Sequence, residues 1–259
     1  MGSPPPLLTL AHLEKRYGAK KGPGTLALQD MLLEVGAHDF VSLLGPSGCG
    51  KSTALKMIAG LLPPTAGRID WPAGAPSADG TGFVFQEPTL MPWATVFDNV
   101  WLPLRLQGLA RDAARGRIKA ALAGVGLEDF AEAMPRELSG GMKMRVSIAR
   151  ALVTRPRLLL MDEPFGALDE ITRGRLNDDT LALWGEHGFT AIFVTHSVFE
   201  AVYLSRRIVV MAARPGRVLA EISIDEPYPR SADFRHTARY GAWCAEVSEA
   251  LSVAEAAHG

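Results

Sequence analysis

Gly45-Pro46-Ser47-Gly48-Cys49-Gly50-Lys51-Ser52 sets glycines, a lysine and a hydroxyl at the spacing Gly-x-x-x-x-Gly-Lys-Ser/Thr. The chemistry open to that spacing is phosphate binding. Glycines let the backbone wind until successive N–H groups face inward, and the helical pattern starting at Thr53 adds a positive helix end, so the loop favours phosphate oxygens. Lys51 then reaches the β and γ phosphates of a nucleotide, and Ser52 holds Mg²⁺. The apolar run Val41-Ser42-Leu43-Leu44 stands directly before the loop as the strand this motif requires. A glycine-rich turn that binds nothing is the bland alternative, and it does not account for the full pattern in that context.

A second element is the apolar run Leu158-Leu159-Leu160-Met161 ending in Asp162-Glu163. Two carboxylates at the end of a buried strand are costly unless a cation or a substrate compensates them. Asp162 is expected to steady Mg²⁺, and Glu163 to polarise an attacking water as general base. Acids that merely cap a following helix are the alternative, and the phosphate loop argues against it.

Two further sites stand at helix starts. Ser139 occupies an N-cap position, with Met144, Ile148, Ala151 and Leu152 following at helical spacing, so Gly140 and Gly141 offer bare N–H groups at a positive helix end. This is a second anion site. His196 ends the run Ala191-Ile192-Phe193-Val194-Thr195, and Ser197-x-x-Glu200 behind it reads as a capping box that opens a helix. The imidazole is thus aimed from a strand-to-helix corner, where parallel α/β folds bind ligands. His12, His38, His187, His236 and His258 show no ligand spacing and are assigned to surface or packing.

The elements that must position these residues alternate. Phe40 to Leu44, Gly82 to Phe85, Arg157 to Asp162, Thr190 to Thr195 and Ile208 to Met211 read as strands between helical patterns, the signature of an α/β fold with a mainly parallel sheet. Leu7 to Val35 reads as shorter strands with Gly/Pro turns at Gly18 to Gly24, an antiparallel β flank. Between Phe85 and Arg157 lies an inserted helical subdomain, placed at about 87–156, with a capping box Thr95-x-x-Asp98, an Arg/Ala-rich stretch Arg111 to Ala123 and a break at Met134-Pro135. Pro72 to Gly82 reads as a surface loop. Residues 217–259 form a short C-terminal extension, in which Tyr240, Trp243, Cys244, Val247 and Leu251 make a helical stripe read as core packing.

Composition narrows the function classes. The 259 residues, 47% of them hydrophobic and 21% charged, exclude a mainly disordered chain, and 27 Lys+Arg against 28 Asp+Glu leave a net charge of −1. A dedicated nucleic-acid binder usually carries a large basic excess. Cys49 and Cys244 fit neither a disulfide framework nor a zinc site, which points to a reducing compartment. No apolar run approaches the ~18 residues needed to cross a bilayer, and Met1-Gly2-Ser3 opens neither a secretory signal nor, with Pro6, a myristoylation pattern.

Leu138-Ser139-Gly140-Gly141-Met142-Lys143-Met144-Arg145 resembles the signature motif of ATP-binding-cassette (ABC) ATPases, and further elements of that family follow in order over Leu7 to Arg217. Gln86 matches the Q-loop residue, Ala167-Leu168-Asp169 the D-loop and His196 the switch histidine, while Tyr17 resembles the aromatic that stacks on adenine. The resemblance implies a P-loop NTPase core over 1–259 that binds ATP and Mg²⁺ through Tyr17, Gly45, Pro46, Ser47, Gly48, Cys49, Gly50, Lys51, Ser52, Thr53, Gln86, Ser139, Gly140, Gly141 and Asp169. Lys51, Gln86, Glu163 and His196 are implied as catalytic, and Ser52, Gln86 and Asp162 as metal-holding. With one phosphate loop and one signature per chain, a dimer is implied in which each signature closes on the γ-phosphate held by the other subunit. Met142 departs from the Gln common in the signature, and Gly174 sits inside a helical pattern at a cost of about 1 kcal/mol against Ala.

Chromosome-maintenance relatives insert long coiled coils, and translation-factor relatives carry two cassettes; this chain has neither feature. It therefore resembles a transporter ATPase, working with separate transmembrane permease subunits and, indirectly, an extracytoplasmic solute-binding protein. Such a subunit is cytoplasmic and peripheral on the inner membrane. Phe85 to Trp93, Asp162 to Asp169 and Met211 to Arg217 resemble bacterial importers of the nitrate, sulfonate and taurine group. A soluble cassette ATPase acting on nucleic acid is the alternative, and it calls for a basic stripe or extra arms.

Overall fold

The computed structural model describes residues 6–18, 24–72, 74 and 80–256. In chain order its elements are β1 (Leu8–Tyr17), β2 (Thr25–Val35), β3 (Phe40–Leu44), α1 (Lys51–Ile58), β4 (Ala66–Asp70), β5 (Thr81–Val84), α2 (Val96–Leu106), α3 (Arg111–Gly124), α4 (Gly140–Leu152), β6 (Leu158–Asp162), α5 (Glu170–His187), β7 (Thr190–Thr195), α6 (Val198–Leu204), β8 (Arg207–Ala212), β9 (Arg217–Ser223) and α7 (Ala238–Ala256). They divide into two units, one built from residues 1–75 and 190–259, the other from 76–189. The fold is a P-loop core with an N-terminal antiparallel sheet and an inserted helical subdomain.

In the first unit β3 lies between β7 and β8, parallel to both, and β9 runs antiparallel along β8. Every residue of β3 and β7 is buried. A strand covered on both faces reads as an unbroken apolar run, which is why these two were legible to the residue. The first seven residues of the C-terminal stretch are thus a strand of this sheet. Beyond them α7 buries Tyr240, Cys244 and Val247, as the stripe predicts, with Trp243 and Leu251 half-buried.

The antiparallel flank is ordered β2-β1-β4. Its strands are longer than the sequence suggests, ten residues in β1 and eleven in β2. The pairing slips between Leu10 and Leu13 and again at Lys15, and His12 and Asp30 adopt positive φ there. Each slip resets the alternation of inward and outward side chains, so one bulged strand reads as shorter pieces. Most of the expected Gly18 to Gly24 turn and of the Pro72 to Gly82 loop, and His258, lie outside the described residues; Thr81 and Gly82 already belong to β5.

The second unit holds the parallel pair β5 and β6, together with α2 to α5. At the start of α2 the Thr95 hydroxyl accepts from the Asp98 N–H at 3.2 Å, as the expected capping box requires. The other half of the box is not made: the Asp98 carboxylate takes a hydrogen bond from Arg111 at 2.9 Å instead. The N–H groups of Val96 and Phe97 reach the carbonyls of Ala133 and Ala131, so the orphan donors of the first turn are satisfied by tertiary partners. The Met134-Pro135 break is a short 3₁₀ turn, Pro135–Glu137. Gly174 lies within α5, and nothing in the structure explains it.

Asn99, wholly buried on α2, fixes the chain in front of that helix. Its amide oxygen accepts from the Met91 N–H at 2.8 Å, and its amide nitrogen donates to the carbonyls of Met91, Ala94 and Thr95 at 3.2, 3.1 and 2.9 Å. The similarly sized Leu at this position strands the Met91 N–H and the Ala94 carbonyl, while the Met91 and Thr95 carbonyls keep the N–H groups of Ala94 and Asn99. Asn99→Leu should therefore cost about 2–4 kcal/mol of unfolding free energy. Denaturant unfolding measures it, and a midpoint equal to that of the unaltered chain would show that water replaces the amide without penalty.

Candidate functional site

The residues singled out by sequence fall on both units. The first carries Tyr17, the stretch Gly45 to Thr53 and His196; the second carries Gln86, Ser139 to Gly141, Asp162, Glu163 and Asp169. Each group has its own local construction.

The phosphate loop leaves β3 at Gly45 and enters α1 at Lys51. Gly50 has φ 91°, and a Cβ there would lie 2.9 Å from the Ala27 carbonyl oxygen, so both the dihedral and the space demand glycine. A Cβ on Gly45 would meet the Met211 carbonyl oxygen at 2.5 Å. Lys51 is 4% exposed, and its ammonium donates to the carbonyls of Gly45 at 2.6 Å and Pro46 at 3.0 Å, within the loop. A buried ammonium held at the centre of such a loop supplies a fixed positive charge for phosphate oxygens. Cys49 lies beneath it, 3.7 Å from Lys51 Nζ. Burial pushes its thiol pKa up against the opposing pull of Lys51, so at neutral pH it packs as a small apolar group. The half-buried Ser52 hydroxyl stands in the first turn of α1, an oxygen donor of the kind Mg²⁺ takes.

Tyr17 ends β1 with an exposed ring, its hydroxyl 3.3 Å from the Thr53 hydroxyl. The ring thereby stands beside the first turn of α1, where a planar base attached to loop-bound phosphates can stack on it. The residues of this unit fit a nucleoside triphosphate: anion donors, a buried cation and an aromatic face. Asp162 of the second unit offers a carboxylate oxygen, a donor type that Mg²⁺ takes.

His196 is exposed at the corner between β7 and α6. The corner is built by Thr195, whose hydroxyl donates to the Glu200 carboxylate and accepts from the Ser197 N–H at 2.9 Å. Ser197 caps the helix, accepting from the Glu200 N–H at 3.3 Å. As at Asp98, only half of the expected capping box forms: here the Ser197 N–H goes to the neighbouring Thr195 hydroxyl, which also takes up the Glu200 carboxylate.

In the second unit Asp162 closes β6, buried, and Glu163 follows with φ 46°, half-buried. A non-glycine residue held in the left-handed region stores of order 1–3 kcal/mol. Ser139 caps α4, accepting from the Met142 N–H at 3.3 Å, and the buried stripe of Met144, Ile148, Ala151 and Leu152 follows as predicted. Gly140 and Gly141 therefore begin a helix of thirteen residues whose first N–H groups carry no side chain over them. Asp169 caps α5 through the Thr172 N–H at 3.0 Å, and that bond holds its carboxyl below the usual range. Gln86 is exposed just beyond β5.

Sequence reasoning missed several residues that shape these loops. Arg150 donates to the carbonyls of Pro88 and Thr89, both at 2.9 Å, and to the Thr89 hydroxyl at 3.0 Å, tying down the stretch after Gln86. Arg173 donates to the Leu168 carbonyl at 2.8 Å, inside the stretch between Glu163 and Asp169. Gly216 backs the phosphate loop: its N–H reaches the Ala27 carbonyl, and a Cβ there would meet the Cys49 carbonyl oxygen at 2.1 Å. An arginine far along the chain leaves no spacing signal; Gly216 left only its Pro-Gly context.

The family model described as ABC transporter matches residues 28–166. The taurine import ATP-binding protein TauB of Rhizobium johnstonii is 45% identical over 85% of this chain and 84% of its own length. That of Burkholderia thailandensis is 45% identical over 81% of each. Among solved structures, the ATP-binding cassette MJ0796, a dimer bound to ADP and Pi, has TM-score 0.74 at 33% identity, covering 85% of this chain and all of that one. The cbiO1 subunit of Clostridium perfringens, part of the transporter complex cbiONQ, has TM-score 0.75 at 28% identity, over 85% and 90%.

Gly216→Ala tests how closely the loop is backed. The added methyl meets backbone rather than a flexible side chain, so it should destabilise the chain by about 1–3 kcal/mol and weaken binding of a fluorescent ATP analogue about tenfold. Unaltered melting and affinity would mean that the loop yields freely at Cys49.

Proposed function

This chain belongs to the ABC transporter family as an ATP-hydrolysing subunit of dimeric architecture, and from that membership we propose the roles of its residues, its partners and its solute. The observation that carries the assignment of roles is the buried Lys51 ammonium at the centre of a glycine-built N–H cradle, with Tyr17 beside it. On this reading Lys51 neutralises the β and γ phosphates of ATP, and the N–H groups from Gly45 to Thr53 hold them. Tyr17 carries adenine. Ser52, Asp162 and the Gln86 amide hold Mg²⁺. When bound, that ion draws off negative charge from the phosphate oxygens.

Glu163 acts as general base. It takes a proton from water as the water oxygen bonds to the γ-phosphorus, and the bond from that phosphorus to the bridging oxygen breaks to leave ADP. Its left-handed backbone fits a group whose direction matters more than its comfort. His196 steadies the γ-phosphate from the end of β7. Ser139, Gly140 and Gly141 form the second anion site and close on the γ-phosphate held by the other subunit, with Asp169 beside the shared boundary. The helical subdomain at about 87–156 and the C-terminal extension 217–259 are proposed as the working divisions of the chain.

Membrane attachment follows from partners. Among the described residues no helix is long and apolar enough to cross a membrane, and Trp93 stands 77% exposed on the segment that Asn99 and Arg150 hold still. We read Glu87 to Trp93 as the surface that meets transmembrane permease subunits on the cytoplasmic face of the inner membrane, served by an extracytoplasmic solute-binding protein. The names of the two taurine import relatives, each 45% identical, make a small sulfonate such as taurine the proposed solute. Reconstitution with the permease and binding protein tests this: taurine should stimulate ATP hydrolysis. A complex that responds to nitrate alone shifts the solute to the other member of the group.

Two substitutions separate chemistry from coupling. Glu163→Gln should keep ATP and Mg²⁺ affinity and lower turnover by roughly 10² or more, so that ATP traps a dimer visible by size exclusion; normal hydrolysis removes Glu163 from its role. Trp93→Ala should leave melting and basal ATPase of the isolated chain near those of the unaltered protein while weakening permease assembly and solute-stimulated hydrolysis, since large aromatics often dominate interface energy. Coupling that survives in the assembled variant would place the docking surface elsewhere.

A further inference from the structure

The helix behind His196 takes most of its side-chain anchors from one later segment of the chain. α6 is only seven residues long, and its C-terminal carbonyls need partners. Arg230, 6% exposed and 25 residues beyond Ser205, supplies them. One of its terminal nitrogens donates to the carbonyls of Val202, Tyr203 and Ser205 at 2.7, 2.9 and 3.0 Å. Its guanidinium lies 4.3 Å from the centroid of the Tyr228 ring, and the Tyr228 hydroxyl donates to the Leu204 carbonyl at 2.7 Å.

The other end of α6 is held by the same segment. The Tyr240 hydroxyl, from the first turn of α7, donates to the Phe199 carbonyl at 3.0 Å, three residues after His196. Tyr203 in turn donates to the Arg230 carbonyl at 3.3 Å. The hydroxyls of Ser205 and Ser42 bond to each other, fastening the end of α6 to β3. These bonds tie α6 down at both ends, and its N-terminal cap is the residue that follows His196. A positive guanidinium at a helix C-terminus also complements the helix dipole.

We propose that the C-terminal segment from Tyr228 to Tyr240 sets the position of His196 through α6, with Arg230 as a positioning residue for ATP hydrolysis. The proposal rests on the reading of His196 given above. It gives the extension a task in the catalytic cycle: Arg230 acts through the backbone of α6, by denying the switch histidine alternative placements.

The test uses the full chain, with turnover at saturating MgATP, KM, affinity for a fluorescent ATP analogue and thermal melting measured together. Arg230→Met keeps the apolar stem and removes the fork; it should lower kcat about tenfold or more while KM and analogue affinity stay within about twofold. Arg230→Lys should restore part of the loss. In a His196→Ala background Arg230→Met should have no further effect on kcat, because the group it positions is gone. Imidazole NMR signals of His196 should shift in Arg230→Met, and those of His12 should not. Should Arg230→Met fail to fold, Tyr240→Phe, which deletes one hydroxyl, is held to the same expectations.

An Arg230→Met chain that melts lower yet keeps its kcat makes Arg230 structural and overturns the proposal. An equal fall in kcat with and without His196 also overturns it while leaving the role of His196 intact. Normal turnover in His196→Ala alone strikes the reading of His196, and the proposal falls with it.

Discussion

A loop that binds phosphate through its own N–H groups tolerates no side chain between backbone and ligand, and much of the first unit follows from that constraint. Gly45 passes against the Met211 carbonyl, Gly50 against that of Ala27, and Gly216 against that of Cys49, each closer than a Cβ permits. The loop is thus backed by main chain from β2, from β8 and from the turn before β9. Main chain can approach so closely only because β3, β7 and β8 are paired in fixed register beneath it. Lys51 completes the arrangement: its ammonium is held by two loop carbonyls, and a phosphate competes for a charge that is already desolvated and aimed.

The second unit solves the same problem by different means. At Ser139 the side chain is drawn aside by capping Met142, and glycines 140 and 141 leave the helix end bare. At Glu163 the chain instead keeps its side chain and accepts a left-handed backbone. The contrast fits the proposed roles: an anion cradle needs absence of bulk, whereas a general base needs a carboxylate pointed in one direction, even at some conformational cost.

Sequence made some of this legible for definite reasons. Strands buried on both faces announce themselves as apolar runs, and β3 and β7 have the predicted ends. Ser139, Thr95 and Ser197 cap the helices they were expected to cap, because an N-cap bond spans three residues and is local. The sequence reading falls short where a side chain or strand finds a competing partner. Asp98 is drawn to Arg111, Glu200 to Thr195, and the alternation in β1 is broken by register shifts in its pairing with both β2 and β4. The candidate residues themselves were found through motif spacing, but the side chains that hold their loops were invisible to it.

Those hidden side chains are mostly arginines, and the reason is geometric. Arg150 ties the stretch after Gln86, Arg173 the stretch between Glu163 and Asp169, and Arg230 the helix after His196, each through two or three backbone carbonyls. A loop that leaves a sheet edge carries carbonyls with no strand partner, and they are spread over several residues. A planar fork with five donors spans such a set while its charge stays permanent; a lysine offers one point. Burial pulls the pKa of Arg150 and Arg230 down from the usual guanidinium value, but that value starts so high that both remain charged at neutral pH. The sequence distance from arginine to carbonyl is 61 residues for Thr89, 5 for Leu168 and 28 for Val202. No periodicity can encode the two distant pairs, because the fold alone brings fork and loop together, and so those residues become visible only after the structure is known.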